Sequence, residues 1–196
     1  MAKVVKFHNP VPEKFGPQRV SKKKPSTPPK NGQLNLFAGG KIIKLNQLTA
    51  FEEALMLDEN GDHEGAKKQY LTAIHENDSV ADAYCNLGIM ETQISNFPKA
   101  IDFFTKSLKE DPRHFEAHYN LANLYSEVGN FPLAKLHYEA AIEIEPTFTN
   151  SYFNLALTLV MTKSFKQAAQ VLVQYRQMTP DEEHQLTDDL ISKLMQ

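Results

Sequence analysis

The chain has 196 residues, 21 Lys and Arg against 24 Asp and Glu for a net charge of −3, and one cysteine. A single cysteine excludes an internal disulfide framework and fits a reducing compartment. No apolar run reads as a membrane helix, and the N-terminus lacks the apolar stretch of a secretory signal. The charge is unevenly placed. Residues 1–50 hold ten basic side chains and one acid, Glu13, whereas residues 51–196 carry a net −12. The basic part also holds Pro10, Pro12, Pro17, Pro25, Pro28 and Pro29, with Ser21-Lys22-Lys23-Lys24-Pro25 its densest basic spot. Such a segment cannot repay the entropy of ordering, so residues 1 to 32 are expected to be mostly disordered. The first reading of this tail is a solvated linker. Two alternatives are weak, salt-sensitive contact with nucleic-acid phosphates and a counter-charge for the acidic remainder.

A short apolar segment, residues 33–45, closes the tail region 1–46. Within it Gln33-Leu34-Asn35-Leu36-Phe37 resembles the Gln-Leu-x-Leu-Phe pentapeptide by which bacterial replication and repair proteins bind the sliding clamp. The resemblance implies a docking motif made by Gln33, Leu34, Leu36 and Phe37. Five residues also fit a simpler reading, in which these side chains pack locally against the first helix pair.

From residue 47 onward one unit recurs every 34 residues. Ala66, Ala100, Ala134 and Ala168 form one ladder, and Tyr70, Phe104, Tyr138 and Leu172 a second. Ala73, Ser107, Ala141 and Tyr175 form a third, and Asp78, Pro112, Pro146 and Pro180 close each unit. A fixed period of this size predicts stacked copies of one supersecondary unit. Apolar and small positions recur at helical spacing within each unit. Gly61, Gly129 and Asn130 mark the turn inside a unit, and Asp62, Asn96, Asn130 and Ser164 stand where the second helix should be capped. Pro98 and Pro132 fall in the first helical turn, where a missing N–H is tolerated. After the last unit, Thr179-Pro180-Asp181-Glu182 predicts a capping box. It should open an amphipathic capping helix over 181–196, with Leu186, Leu190, Ile191 and Leu194 on one side and Asp188, Asp189 and Lys193 on the other.

The period, the small–aromatic–small spacing and the closing proline resemble the tetratricopeptide repeat (TPR) family. With Pro112, Pro146 and Pro180 at position 32, the units are 47–80, 81–114, 115–148 and 149–180. The family expects a bulky residue at position 4, Leu at 7, a small residue at 8 and an aromatic at 11. The third unit supplies His118, Leu121, Ala122 and Tyr125, and the fourth Tyr152, Leu155, Ala156 and Leu159. The second supplies Tyr84, Leu87 and Gly88 but departs at Glu91. The first fits poorly in its front half, with Ala50, Glu53, Ala54 and Leu57. The fold implied is all-α: a TPR superhelical solenoid of about four helix-turn-helix repeats with a C-terminal capping helix.

The resemblance further implies that the first helix of each unit lines a concave groove. Asn86, Asn120 and Asn154 then form a ladder suited to holding an extended peptide by its backbone, since an amide both donates and accepts. Tyr119, Asn123 and Phe153 would line pockets. Asp82 and Glu116 make one part of the groove acidic, while Phe153, Leu157, Val160 and Met161 make another part apolar. A basic and apolar partner segment fits that gradient. Lys and Arg are missing from these places, which argues against a ligand with an acidic C-terminus.

Residues for catalysis or a cofactor are not apparent. His114 and His118 have i, i+4 spacing, but one falls in an inter-unit turn and the other at a packing position, so structural use is expected rather than a metal site. Cys85 reads as a small buried or groove thiol, not a nucleophile. No phosphate loop, G-x-S-x-G or H-E-x-x-H occurs. The expectation is a cytoplasmic, non-catalytic adaptor that binds another protein or peptide, with no cofactor and no metal. The alternative is a DNA replication, repair or regulatory factor recruited through Gln33–Phe37 or the basic tail.

Overall fold

The computed structural model describes residues 48–195. The basic tail, the Gln33–Phe37 segment and Gln196 lie outside the described residues. Among those described, there is no strand, and the helices come in consecutive antiparallel pairs. They are α1 (Ala50–Glu59) with α2 (His63–His75), α3 (Val80–Gln93) with α4 (Phe97–Glu110), α5 (Phe115–Glu127) with α6 (Phe131–Ile144), and α7 (Thr149–Met161) with α8 (Phe165–Met178). A short 3-10 turn, Asp181–Glu183, leads into α9 (His184–Leu194), which packs on α8. Each helix touches mainly its neighbours in the chain, as expected of a solenoid built from local contacts. None of these helices is long and apolar enough to cross a membrane.

The second helix of each pair begins where the small polar residues stand. Asp62, Asn96, Asn130 and Ser164 are its N-caps. The Asp62 and Asn130 side chains accept from the backbone of Gly65 and Leu133, satisfying donors that a helix start leaves open. The turn before each cap needs one residue at positive φ. Gly61 and Gly129 supply it at +81° and +78°. Ser95 and Lys163, both at φ 58°, occupy the same place in the other two pairs, so the backbone demand is set by the turn and not by glycine alone.

The first two packing ladders are buried throughout, and the third is buried at Ala73, Ser107 and Ala141 but only partly at Tyr175. Ala66, Ala100, Ala134 and Ala168 are fully buried, and Tyr70, Phe104, Tyr138 and Leu172 are nearly so. The helices of a pair approach closely at Gly88, where an added Cβ would come within 2.7 Å of the Phe104 ring. A small residue at this place therefore lets the aromatic of the same pair enter.

Two expectations need correction at the ends. Thr179 does not open a capping box. It is the C-cap of α8, and its hydroxyl donates to the Arg176 carbonyl, while the chain continues as a 3-10 turn before α9. The capping box present lies at the other end, where Thr49 and Glu52 exchange side-chain to backbone bonds. In α9, Leu186 faces solvent and Thr187 is buried in its stead. The Arg176 guanidinium holds Asp188 through two bonds of 2.6 and 3.0 Å, a bidentate pair that orients the helix from its polar side.

Glu91, the departure from an aromatic in the second unit, is almost completely buried. Its carboxylate is met by Lys67 at 2.8 Å, Lys99 at 3.1 Å and the Asn96 amide at 2.8 Å. The N-cap Asn96 thus spends its side chain on Glu91. Burial works against the charge, but the hydrogen bonds from Lys67, Lys99 and Asn96 outweigh it and hold the Glu91 pKa below its ordinary value. A depressed carboxyl contributes stability that is complete above the unfolded pKa of about 4.3 and is lost as pH falls through the lower folded value. Glu91→Gln should therefore be less stable than wild type at pH 7. The gap should shrink below about pH 4, as read from urea midpoints at the two pH values.

Candidate functional site

Because each pair stacks on the next in the same register, the first helices form one inner face. α3 meets α5 and α5 meets α7 directly. Between α3 and α5 an apolar cluster of Cys85, Ala117, Leu121 and Leu124 is accompanied by a polar contact. The buried imidazole of His114, N-cap of α5, places Nε2 3.2 Å from Asp82, while its Nδ1 accepts from the Ala117 N–H and lies 3.4 Å from Glu116. Burial disfavours the charged ring, but the Asp82 hydrogen bond and the charges of Glu116, Asp82 and Asp111 outweigh it and raise its pKa. Two acids expected in the groove are therefore gathered around one histidine that sequence spacing did not connect to them.

The charge of this face follows a simple rule. α1, α3, α5 and α7 contain no lysine or arginine. All eleven Lys and Arg among the described residues lie in the second helices, the turns and α9. At the positions that the TPR pattern assigns to the groove, the first three pairs carry Glu52, Asp58, Glu59, Asp82, Glu116 and Glu127. The fourth presents Phe153, Leu157, Val160 and Met161. Phe153 is half-buried against the Tyr175 ring, 5.3 Å between centroids, and Met161 is exposed.

The three ladder asparagines are not equivalent. Asn154 donates one bond of 3.1 Å to the Tyr119 hydroxyl and another of 3.1 Å to Asn123 Oδ1. Asn123 Oδ1 also accepts from the Tyr138 hydroxyl at 2.6 Å. Both amide hydrogens of Asn154 are thereby engaged, and Tyr119, buried beside Phe115, Tyr138 and Phe148, belongs to the same internal network. Asn86 approaches the Tyr70 hydroxyl of the preceding unit. At Asn120 the preceding unit offers Phe104, which has no hydroxyl. Asn120 sits against the Cys85 thiol, and its Nδ2 has no hydrogen-bond partner. Cys85 itself is buried, and burial with the nearby Glu116 and Asp82 charges pushes its pKa well up, which keeps the thiol protonated and unreactive.

His118 turns away from His114. Its Nδ1 is 2.9 Å from Nδ1 of His137 on α6, a partner that lies 19 residues on. Burial lowers the pKa of both rings, with His137 brought down to about 4. Among the described residues no cluster of three or more His, Cys, Asp and Glu side chains is arranged to hold a metal ion.

Three tetratricopeptide repeat models match this chain, over residues 51–115, 115–148 and 137–170. No curated protein sequence matches it. Among solved structures it is similar to the TPR2B domain of yeast Sti1 in a pHsp70 complex, at 23% identity and a TM-score of 0.53, over 59% of this chain and 95% of that one. It is also similar to the MamA protein, at 16% identity and a TM-score of 0.61, over 74% of this chain and 88% of that one. A third likeness is to the first TPR of Spaghetti (RPAP3) bound to the HSP90 peptide SRMEEVD, at 17% identity and a TM-score of 0.53, over 59% and 90%. At these identities the likeness is one of fold.

The unequal asparagines predict unequal mutants. Asn154→Ala removes two side-chain hydrogen bonds and should lower stability by about 1–3 kcal/mol. Asn120→Ala, whose amide nitrogen makes none, should change it by less than about 0.5 kcal/mol. Urea midpoints at unchanged slope measure both.

Proposed function

We propose that this chain, which belongs to the tetratricopeptide repeat family, is a non-catalytic adaptor whose inner groove holds an extended, basic and apolar segment of a partner protein. The observation that carries the reading is the absence of lysine and arginine from all four first helices. The acids they carry toward the groove sum to one sign over three helix pairs. A face of one sign attracts the opposite charge at long range and repels its own. The apolar positions of the fourth pair, Phe153, Leu157 and Val160, would seat the aliphatic or aromatic anchor of the same segment. Asn120 lies between these two regions; its Nδ2 is buried and unpartnered, and would donate to a backbone carbonyl of the bound chain once the side chain turns outward.

Two relatives in fold support a peptide as the occupant, since the Sti1 domain was solved with pHsp70 and the Spaghetti domain with an HSP90 peptide. Their chemistry does not carry over unchanged. The SRMEEVD peptide brings three acidic side chains and would meet Asp82, Glu116 and Glu127 here. The single cysteine, buried and protonated, is consistent with a reducing, cytoplasmic setting.

Synthetic peptides with lysines or arginines at one end and leucine or phenylalanine at the other provide the test, in isothermal titration at two salt concentrations. Wild type should bind them and should bind charge-reversed peptides far less. Asp82→Asn combined with Glu116→Gln should lower affinity at least about tenfold at low salt and flatten the salt dependence. Asn120→Ala should weaken binding roughly threefold to tenfold with unchanged helicity. Equal binding of both peptide classes, or indifference to all three substitutions, would refute the groove assignment.

A further inference from the structure

We propose that His118 and His137 form a binding site for a tetragonal divalent transition ion, copper(II) first and nickel(II) next. The two rings come from different helices, α5 and α6, and converge through their Nδ1 atoms at 2.9 Å. Two nitrogens bound to one ion at about 2.0–2.1 Å lie about 2.9 Å apart when the bonds are at right angles and about 3.3 Å apart in a tetrahedron. The observed spacing is therefore that of adjacent ligands on a square or octahedral ion.

The surroundings are those of a ligand pair. Nε2 of His118 lies 3.2 Å from the Pro112 carbonyl. A carbonyl only accepts, so this nitrogen carries the proton and Nδ1 of His118 keeps its lone pair. An outer hydrogen bond of this kind is what orients a metal-binding imidazole. The ring of His137 is stacked on Tyr125, 5.7 Å between centroids and 17° between planes, which fixes its plane as well. Without metal, the Nδ1 hydrogen of His137 fills the space between the rings. On binding, that proton moves to Nε2 of the same ring and Nδ1 takes the ion. Each ring remains neutral, so no net proton is released. Both side chains are half-buried, leaving the outer side for water ligands. The charges of His114 and of the exposed carboxylate of Asp111 act on His118 in opposite directions, the first against a bound cation and the second for it. Two imidazoles are fewer ligands than a closed structural site uses, so this is an open site. Its ion would staple α5 to α6 and raise the stability of the folded form by mass action.

Tag-free full-length protein titrated with copper(II) in a non-coordinating sulfonate buffer tests the assignment. The expected result is one first equivalent with a two-nitrogen signature in electron paramagnetic resonance and a rise in Tm. His118→Gln and His137→Gln should each weaken that equivalent at least tenfold, while the exposed-site control His75→Gln should not. Should either variant fail to fold, nickel(II) added to wild type serves instead. It should broaden the imidazole resonances of His118 and His137 before those of His8, His63, His75, His114 and His184. A first equivalent that survives both substitutions, no first equivalent at all, or earlier broadening of the other histidines would overturn the proposal.

Discussion

Everything in this molecule rests on how closely two helices can approach. At Ala66, Ala100, Ala134 and Ala168 the side chain is a single methyl group, fully buried. At Gly88 even a methyl group would strike the Phe104 ring. Where the backbones come this near, an aromatic side chain from the second helix fills the remaining space and touches the next pair. Tyr70, Phe104 and Tyr138 do this in successive units. Dense interiors of this kind tolerate little change in volume. The repeat is therefore held to one register, and whatever side chains the first helices direct inward recur on one continuous face.

That face does two jobs with one set of residue types. Some of its polar groups hold the units together. Asn154 and Asn123 tie α7 to α5 and to the Tyr138 hydroxyl, and His114 ties α5 to Asp82 on α3. Others are left over. Asn120 is left over for a specific reason, because the second unit carries Phe104 where its neighbours carry tyrosine. The same division applies to charge. Lysine and arginine are confined to the second helices, the turns and α9, where Lys67 and Lys99 neutralise Glu91 and Arg176 holds Asp188. The first helices hold no Lys or Arg, so the acids they carry meet partners only from elsewhere: Glu91 meets Lys67 and Lys99, Asp58 meets His63, and Asp82 and Glu116 meet His114. A partner of opposite charge is the occupant that the proposed function assigns to this surface.

Much of this was legible in the chain. The period, the alanine ladder and the N-cap residues place the helix pairs from sequence, because each depends on contacts within about 34 residues. Features that depend on meeting a distant residue were not legible. The buried cluster at Glu91 needs Lys67 from one pair and Lys99 from the next. The His118–His137 contact needs the packed geometry of α5 on α6. At the C-terminus, local spacing misled. Thr179 had the residues of a capping box, but its hydroxyl is taken by the last turn of α8. The asparagine ladder looked uniform because the tyrosines that engage it, Tyr70 and Tyr138, belong to a different ladder. One signal was read only in part: Lys and Arg are missing at the groove positions, and the whole of each stretch that becomes a first helix lacks them as well.

The central claim is that this inner face, and no other surface, receives a basic and apolar segment. Amide and side-chain shift mapping with a lysine- and leucine-bearing synthetic peptide tests it most directly. The account predicts shifts that trace Asp82, Glu116, Asn120 and Phe153 along α3, α5 and α7, with the Asn120 side-chain amide moving most among the three ladder asparagines. Shifts confined to the outer faces of α2, α4 and α6, or a peptide that moves Asn154 while leaving Asn120 in place, would contradict it.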